Sequence, residues 1–473
     1  MHVIKTIKKI QRKIQLSMLG KASPEGLMRL GENKLLQLFK NAPNASQALS
    51  VLLKNKRIDT KRITNIQDFM ALDFTMSKEN TFNQFSLEDL CRPGVLDNLK
   101  GVLTSSGHSG NFAYGLTTWK QGKATPDLLD LALEAVFQID EKKTLLINCL
   151  PMGVRFPSNS VTLADVSVRE DMALSLIKKF SPFYDQIIIV CDPLFLKLLM
   201  DSAASWQIDW AKIHKHLILG EETFGENYRN YVGKMLHINP DDPSTGLIGS
   251  SMGAGELGLN LCFETLESIS LRRAINNNAA LREKLFGCQN HYDPLPMLFA
   301  YNPLATYLEA RHPDEKGYGE LLVSILDKEN PIPLFRYHTG DEARLLRSDE
   351  IKSAFHAEGL EPPELPKMPL ICIRGRQKDR LPSGLHMGAV KDALYEDSLF
   401  ADTISGAFRM DKASPEMLHI QLRRGRTKED VTAQDICSRG KVLVAAKDVT
   451  LWDYDDFPYG QTIDYERKFT YLT

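Results

Sequence analysis

Short apolar runs alternate with amphipathic segments over most of the chain beyond Lys143. The runs TLLINCL, QIIIVC, KHLILG, ELLVSIL and PLICI are rich in β-branched residues, and Pro, Gly or Asp residues bound several of them. Between them lie MALSLIKKF and PLFLKLLMDSA, in which apolar residues recur with helical spacing. Strands that alternate with helices in this way indicate an α/β fold in which at least part of the sheet is parallel.

The regions on either side of this alternation have a different character. The periodicity of GLMRLGENKLLQLFK and ALSVLLKN predicts that residues 1–100 are mostly helical. After the Pro-rich stretch LEPPELPKMP, VKDALYED predicts a helix, TISGAFRM and MLHIQLRRG predict a strand pair, and KVLVAAKD follows. We therefore predict a large multi-layer N-terminal domain over residues 1–375, with mixed β-sheets and helices, and a small α+β C-terminal domain over residues 376–473.

Composition excludes several classes of protein. The 473 residues carry a formal net charge of −2, so no overall basic field indicates nucleic acid as the main partner. No run approaches the roughly 20 apolar residues that a transmembrane helix needs. Seven cysteines are scattered without a CxxC pair, which argues against a zinc site and against a disulfide framework. These features predict a globular protein of the reducing cytoplasm.

The N-terminal segment MHVIKTIKKIQRKIQ is basic, and its isoleucines at positions 4, 7, 10 and 14 have helical spacing. Such a helix can lie on the body of the protein, or it can contact an anionic membrane surface. We favour the helix packed on the body.

The stretch TSSGHSGN, residues 104–111, is polar and has almost nothing to bury. Gly107 and Gly110 permit backbone conformations that are closed to other residues, so that successive N–H groups can point into one concavity. The hydroxyl groups of Ser105, Ser106 and Ser109 add further donors, and such a set suits phosphate oxygens. The stretch lacks the lysine of a Walker loop. An ordinary polar surface loop is the alternative interpretation.

Three further segments carry acids or clustered charges. GSSMGAGELGLN places Glu256 in a glycine-rich turn, and PLFRYHTGDEARL places Asp341 directly after a Thr-Gly pair. IRGRQKDRL ends an apolar run with a dense group of charges. Taken alone, Glu256 also fits a helix N-terminus and Asp341 also fits a residue that closes a turn.

In this order and spacing the four segments resemble motifs of the adenylate-forming superfamily, which includes acyl-CoA synthetases, adenylation domains of peptide synthetases and luciferases. The phenylacetate–CoA ligase branch is the most similar. Over residues 100–380, SSGHSGN corresponds to the family's phosphate loop SSGTTGKP, MGAGE to YGxTE, YHTGD to YRTGD and GRQKD to the hinge motif GRxDD. A weaker match relates LGEETFGENYR to the GxEPxxxxxR segment that approaches the adenine.

The resemblance implies a role for each matching residue. ATP phosphates would be held by the loop residues Ser105, Ser106, Gly107, His108, Ser109 and Gly110. Glu256 would coordinate Mg²⁺, a hard cation that prefers oxygen ligands, and Asp341 would accept hydrogen bonds from the ribose hydroxyls.

Further nucleotide contacts are implied for Glu221, Gly253 and Arg376, the last near the ribose or the α-phosphate. Lys378 would lie in the hinge about which the small C-terminal domain turns between the two half-reactions.

The sequence departs from the family pattern at several positions. Asn111 stands where the phosphate loop usually ends in lysine, and His108 replaces a threonine. His338 replaces the arginine of YRTGD, and we assign it a catalytic role. The usual C-terminal lysine motif is not recognisable in DFPYGQTIDYERKFTYLT. Within this segment we assign to Lys468 the role of the lysine that contacts the reacting carboxylate.

The resemblance implies that a carboxylic acid, of the aryl or a related class, reacts with Mg·ATP to give an acyl-adenylate and pyrophosphate. The acyl group would then pass to a thiol, either of CoA or of a carrier protein's phosphopantetheine. This chemistry needs positioning and charge neutralisation more than a protein nucleophile. Three alternatives stay open: a degenerate nucleotide-binding scaffold, acyl transfer to an amine, and transfer of AMP to a protein. The sequence does not specify the oligomeric state, and a dimer is compatible with it.

Overall fold

The structure is a computed structural model that describes residues 2–105, 112–151, 153–290, 292–429, 448–458 and 465–473. Within these ranges the α-helices are α1 (His2–Lys21), α2 (Pro24–Lys40), α3 (Gln47–Asn55), α4 (Ile66–Met70), α5 (Leu87–Leu90), α6 (Trp119–Phe137), α7 (Glu170–Phe180), α8 (Pro193–Ala203), α9 (Glu226–Leu236), α10 (Leu266–Asn276), α11 (Ala279–Phe286), α12 (Ser348–Ala357), α13 (Met387–Ala393) and α14 (Ser398–Ala401). A π-helical turn spans Lys78–Phe82.

The β-strands of the same ranges follow most of the apolar runs of the sequence. They are β1 (Leu99–Thr104), β2 (Tyr114–Thr118), β3 (Thr144–Asn148), β4 (Thr162–Asp165), β5 (Gln186–Cys191), β6 (Lys215–Leu219), β7 (Gly246–Ala254), β8 (Gly258–Phe263), β9 (Met297–Tyr301), β10 (Thr306–Arg311), β11 (Gly319–Ile325), β12 (Tyr337–Leu346), β13 (Leu370–Arg376), β14 (Ile404–Asp411), β15 (Ser414–Leu422) and β16 (Asp448–Trp452).

Eleven strands of the described part of the chain form one sheet, in the order β10-β11-β12-β13-β9-β8-β7-β6-β5-β3-β4. From β4 to the first half of β7 the neighbours are parallel, and from the second half of β7 to β10 they are antiparallel. Strands β3 and β5 are buried at every position, as expected for parallel strands that are covered on both faces. The α/β fold with a partly parallel sheet is therefore confirmed.

The N-terminal region is mostly helical, as its periodicity predicts. Helix α2 buries Leu27, Gly31, Leu35 and Phe39 at spacings of four residues, and Ser23 caps its first turn by accepting a hydrogen bond from Gly26. The predicted helix of the first residues, α1, lies against the body through its basic face. There Arg12 forms an ion pair with Asp140, and Lys8 lies 2.5 Å from Asp127.

A second, three-stranded sheet in the order β14-β15-β16 forms the C-terminal part. The strand pair predicted from TISGAFRM and MLHIQLRRG is confirmed as the antiparallel pair β14 and β15, and the helix predicted from VKDALYED lies partly in α13. KVLVAAKD lies outside the described residues except for its last residue, Asp448. The domain boundary at residues 375 and 376 stays a prediction.

A buried ion network joins α9, α10 and the end of β8. Arg229 contacts Glu226 at 3.0 Å and Glu264 at 2.7 Å, and Arg272 contacts Glu226 at 2.7 Å. Each of these arginines and glutamates has an oppositely charged partner within hydrogen-bonding distance, so the network can be buried. Arg229 ends the segment LGEETFGENYR, so this arginine stabilises the body of the fold.

No helix in the described ranges has the length and apolarity that a bilayer crossing requires.

Candidate active site

Acidic residues follow the carboxyl ends of three neighbouring strands of the parallel half-sheet. Asp192 comes directly after β5, Glu221 and Glu222 follow β6, and Glu256 follows β7. The carboxyl ends of parallel strands meet at one edge of a sheet, and this edge is where open α/β sheets bind ligands. Strand β7 also changes its pairing here, from parallel with β6 to antiparallel with β8. This edge is therefore the candidate site.

Glu256 lies in the turn between β7 and β8, and its side chain is buried at 8% exposure. Its Oε1 accepts a hydrogen bond from the hydroxyl of Tyr337 at 2.9 Å. Its Oε2 is buried and has no hydrogen-bond partner among the described residues. Burial, together with the nearby charge of Glu256, raises the pKa of Tyr337, so this tyrosine stays a donor. One carboxylate oxygen of Glu256 is thus fixed and the other is left for a further ligand.

The predicted phosphate loop begins beside this turn. The backbone of Ser105 donates to the carbonyl of Ala113 at 2.9 Å, which closes the loop at its base. A Cβ atom on Gly115 would lie 1.7 Å from the carbonyl oxygen of Gly255, so strand β2 requires glycine where it passes the turn. A Cβ on Gly255 would lie 3.4 Å from the backbone nitrogen of Ser105. Ser105 is therefore next to the turn that carries Glu256.

The remaining predicted loop residues, Ser106, Gly107, His108, Ser109 and Gly110, lie outside the described residues.

Asp341 and Arg376 stand opposite each other on the antiparallel strands β12 and β13. The Nε atom of Arg376 is 3.6 Å from Oδ1 of Asp341, and the Asp341 side chain is 13% exposed. Asp341 lies four residues beyond Tyr337 on β12, and the strand is irregular between them, since Gly340 has a φ of 84° and the pairing with β11 shifts register. The two predicted ribose-proximal residues are thus neighbours, and one strand carries both Asp341 and the tyrosine that holds Glu256.

Gly253 lies on β7, where the chain turns back on β8. A Cβ atom at this position would lie 2.4 Å from the backbone of Leu259. The two strands therefore approach each other so closely that only glycine fits here.

Glu221 and Lys468 form an ion pair, with Nζ of Lys468 2.9 Å from Oε2 of Glu221. Glu221 has a backbone φ of 68°, a conformation that residues other than glycine rarely adopt. The adjacent Glu222 contacts Lys391 at 2.7 Å and accepts a hydrogen bond from Tyr471 at 2.9 Å. The C-terminal residues 465–473 are therefore docked onto the carboxyl end of β6, and the two predicted residues Glu221 and Lys468 are in contact.

A shallow pocket lies beneath this C-terminal segment, lined by Asp192, Glu221, Glu222, Tyr465, Lys468 and Phe469 among others. Asp192 caps α8 by accepting a hydrogen bond from the backbone of Phe195 at 2.9 Å. Burial raises the pKa of Asp192 to about 7, and the charges of Glu222 and Glu221 act in the same direction. The pocket lining therefore includes a carboxyl group whose pKa is raised by burial.

Lys378 lies in a 3₁₀ turn directly after β13. Its pKa is lowered by burial and by the positive charges of Arg376, Lys412 and Lys468. Lys378 is thus two residues beyond Arg376, the last residue of β13, and its role as a hinge stays a prediction.

His338 is placed differently. Successive side chains of a strand point to opposite faces, so His338 lies across β12 from Tyr337. Its ring nitrogen is 3.9 Å from Glu320, and its side chain is 37% exposed. The structure therefore does not bring His338 to the face of β12 that holds Glu256, and its catalytic role stays a prediction.

Sequence reasoning missed the partners of these residues. Tyr337 lies inside the motif YHTGD, but the motif gives no indication that its hydroxyl holds Glu256. Lys78, whose Nζ donates to Oγ of Ser105 at 3.0 Å, lies in a region for which the sequence predicts only helices. Asp192 could have been noted as an acid directly after a buried apolar run.

No protein-family model matches the sequence, and no curated protein matches it. Solved structures do match. 2-Hydroxyisobutyryl-CoA ligase in the postadenylation state, in complex with R3-HIB-AMP, gives a TM-score of 0.65 at 11% identity, covering 95% of this chain and 89% of that chain. The same ligase in the thioesterification state, with 2-HIB-AMP and CoA, gives 0.54 at 12% identity, with coverage of 95% and 89%.

These similarities show that the chain has the fold of an acyl-CoA ligase over almost its full length. The resemblance to adenylate-forming enzymes that the four motifs indicate is confirmed at the level of the fold. At 11–12% identity the similarity carries no residue roles and no substrate.

Proposed function

We propose that this protein is an adenylate-forming ligase. It activates a carboxylic acid with ATP, releases pyrophosphate, and transfers the acyl group to a thiol of CoA or of a carrier protein. The proposal includes the aryl or related class of acid that the phenylacetate–CoA ligase branch suggests. The observation that carries it is the position of a buried acid, Glu256, in a turn that lies next to Ser105, the first residue of the predicted phosphate loop, at the carboxyl edge of the sheet.

The geometry at Glu256 fits a magnesium ion. The buried Oε2 has no hydrogen-bond partner among the described residues, and an uncompensated carboxylate oxygen in such a place is costly unless a cation or donor meets it. Mg²⁺ is typically held by one or two carboxylates together with substrate phosphates, so a larger cluster of protein ligands is not required. Within the described part of the chain no group of three or more His, Cys, Asp or Glu side chains forms a metal site.

When bound, the magnesium ion would neutralise part of the negative charge on the phosphates. Glu256 would hold it, and Tyr337 keeps that carboxylate in one orientation. Asp341 would accept hydrogen bonds from the ribose, and Arg376 beside it would face the ribose or the α-phosphate. The substrate carboxylate can then attack the α-phosphorus, with pyrophosphate as the leaving group.

A protein nucleophile is not part of this proposal. The described cysteines with free thiols are buried: Cys91, Cys149, Cys191, Cys262, Cys288 and Cys372. Burial raises the pKa of Cys91 to about 11, so its thiolate is scarce at neutral pH. The chemistry then depends on positioning and on charge neutralisation.

Lys468 would contact the reacting carboxylate. To do so, Lys468 would have to break its ion pair with Glu221 or contact Glu221 and the substrate carboxylate at the same time. We also propose that residues 376–473 move as a unit about Lys378 between adenylation and thiol transfer. The reaction is expected in the cytoplasm, because buried free thiols suit a reducing compartment.

The test is carboxylate-dependent exchange of labelled pyrophosphate into ATP, measured over a panel of aryl, alkyl and hydroxy acids. Exchange that depends on one class of acid supports adenylation. Binding of ATP without exchange under any acid contradicts the proposal and favours a nucleotide-binding scaffold. Transfer of label from the α-phosphate of ATP to a protein would contradict the proposal and would indicate that the protein transfers AMP.

A further inference from the structure

We propose that Lys78 is a phosphate-binding residue of the nucleotide site and supplies the positive charge that the phosphate loop itself lacks. This inference rests on the proposed function, since it concerns how the same site holds ATP.

The position of Lys78 is fixed by strand-like pairing with β12. The backbone nitrogen of Met76 donates to the carbonyl of Arg336 at 3.1 Å, and the nitrogen of His338 donates to the carbonyl of Met76 at 2.8 Å. Ser77 then caps the π-helical turn that begins at Lys78. Because these contacts straddle Tyr337, which holds Glu256, Lys78 starts its turn beside the strand that supports the predicted magnesium ligand.

The side chain of Lys78 reaches the base of the phosphate loop. Its Nζ lies 3.0 Å from Oγ of Ser105, and the same oxygen accepts a hydrogen bond from the backbone of Ala113 at 3.0 Å. The side chain is half-buried, and no ion pair with a carboxylate joins it within the described part of the chain. An ammonium group with three donors is therefore held by a neutral hydroxyl and retains capacity for an anion.

The charge balance of the site explains why such a cation is needed. Residues 104–111 contain no lysine or arginine, and Asn111 occupies the position where the similar family has lysine. Glu256 adds a negative charge at the same place, and the triphosphate of ATP is itself strongly anionic. Charge-assisted hydrogen bonds to phosphate are among the strongest that a side chain makes, and lysine serves there as a point charge.

Other cations near these strands already have partners. Lys100 on β1 donates to the carbonyl of Gly122 at 3.0 Å and lies over the ring of Trp119. Arg336 is buried and forms an ion pair with Glu309 at 2.6 Å. Lys78 is thus the described cation that touches Ser105 without being neutralised by an acid.

The experiment compares Lys78→Ala, Lys78→Arg and Lys56→Ala in the full-length chain. Lys56 is a matched control, because it is half-exposed and pairs with Asp73 on the surface. Dissociation constants for ATP, pyrophosphate and AMP are measured by calorimetry. We expect Lys78→Ala to weaken ATP and pyrophosphate binding by on the order of tenfold or more and to leave AMP binding unchanged. Lys78→Arg should restore most of the loss, and Lys56→Ala should match the wild type.

Two results would overturn this inference without affecting the proposed function. The first is that Lys78→Ala binds ATP as tightly as the wild type does. The second is that Lys78→Ala lowers the affinities for AMP and ATP equally, which indicates a structural role. A wild-type protein that binds no ATP would instead contradict the proposed function, and the inference with it.

Discussion

The hydroxyl of Tyr337 donates a 2.9 Å hydrogen bond to Oε1 of Glu256, which joins the end of β7 to the start of β12. This contact brings together two motifs that lie 81 residues apart in the sequence. Because Glu256 lies between two strands, with α10 beginning only at Leu266, it is not the N-cap of a helix. Asp341 lies within strand β12, directly after an irregularity at Gly340, so a turn-closing role stays an alternative for this residue.

Glu256→Gln should slow adenylation by on the order of a hundredfold or more, because the site loses the carboxylate that would anchor magnesium. Tyr337→Phe keeps the ring and the packing but removes the hydrogen bond, so we expect a smaller loss, of about tenfold. Both are measured as acid-dependent pyrophosphate–ATP exchange at saturating magnesium. An unchanged rate for a folded Glu256→Gln protein would remove this residue from the site.

Asp341→Asn should lower kcat/KM for ATP by about 10- to 100-fold, since one of the two acceptor oxygens becomes a donor and the charge that strengthens the hydrogen bonds from the ribose hydroxyls is removed. The same variant and the wild type should differ little with 2′,3′-dideoxy-ATP, which lacks those hydroxyls. Glu342→Gln is the matched control, because Glu342 is the next residue but pairs with Arg374 at 2.8 Å. Equal losses with ATP and with the dideoxy nucleotide would show that Asp341 does not bind the ribose.

The sequence predicts the fold well because the relevant signals are local. Strand β5 is buried on both faces, and its sequence QIIIVC is therefore an almost continuous apolar run. Helix α2 exposes one face, and the apolar residues in its sequence therefore recur with the period of a helix.

The site is predictable only in part because its contacts are not local. The Gly-rich and acidic motifs identify Glu256 and Asp341 as candidates. Nothing in the sequence near Lys78 indicates that Met76 pairs with a strand that begins at Tyr337, so the contact of Lys78 with Ser105 requires the structure. For the same reason the pairing of Lys468 with Glu221 cannot be read from a C-terminal segment without a recognisable motif.

Arg272→Met should lower the free energy of unfolding by about 3–5 kcal/mol, because Glu226 loses one of its arginine partners and two buried carbonyl groups lose the donor that Arg272 supplies. Methionine keeps most of the volume, so the loss reflects charge and hydrogen bonding more than a cavity. Urea unfolding followed by circular dichroism measures the change. Arg347→Ala is the control, since Arg347 forms an exposed pair with Asp349, and its unfolding curve should overlay that of the wild type.

The pKa of Asp192, raised to about 7 by burial and by Glu222 and Glu221, predicts how stability depends on pH. In the unfolded chain this carboxyl ionises near its ordinary value of 3.8, whereas the folded protein retains the proton up to about pH 7. Between these values the folded state binds more protons than the unfolded state, so this group's contribution to the free energy of unfolding falls as pH rises. Above about pH 7 both states are ionised and the contribution is constant.

Asp192→Asn cannot ionise but can still accept the hydrogen bond from Phe195 that caps α8. The stability of this variant relative to the wild type should therefore increase from about pH 4 to about pH 7 and level off above that. Asp209→Asn is the control, because Asp209 also caps a turn but its pKa is lowered by a hydrogen bond from Lys212. Its stability relative to the wild type should stay constant over this range. A constant difference for Asp192→Asn as well would mean that the Asp192 carboxyl ionises in the folded protein much as it does in the unfolded chain.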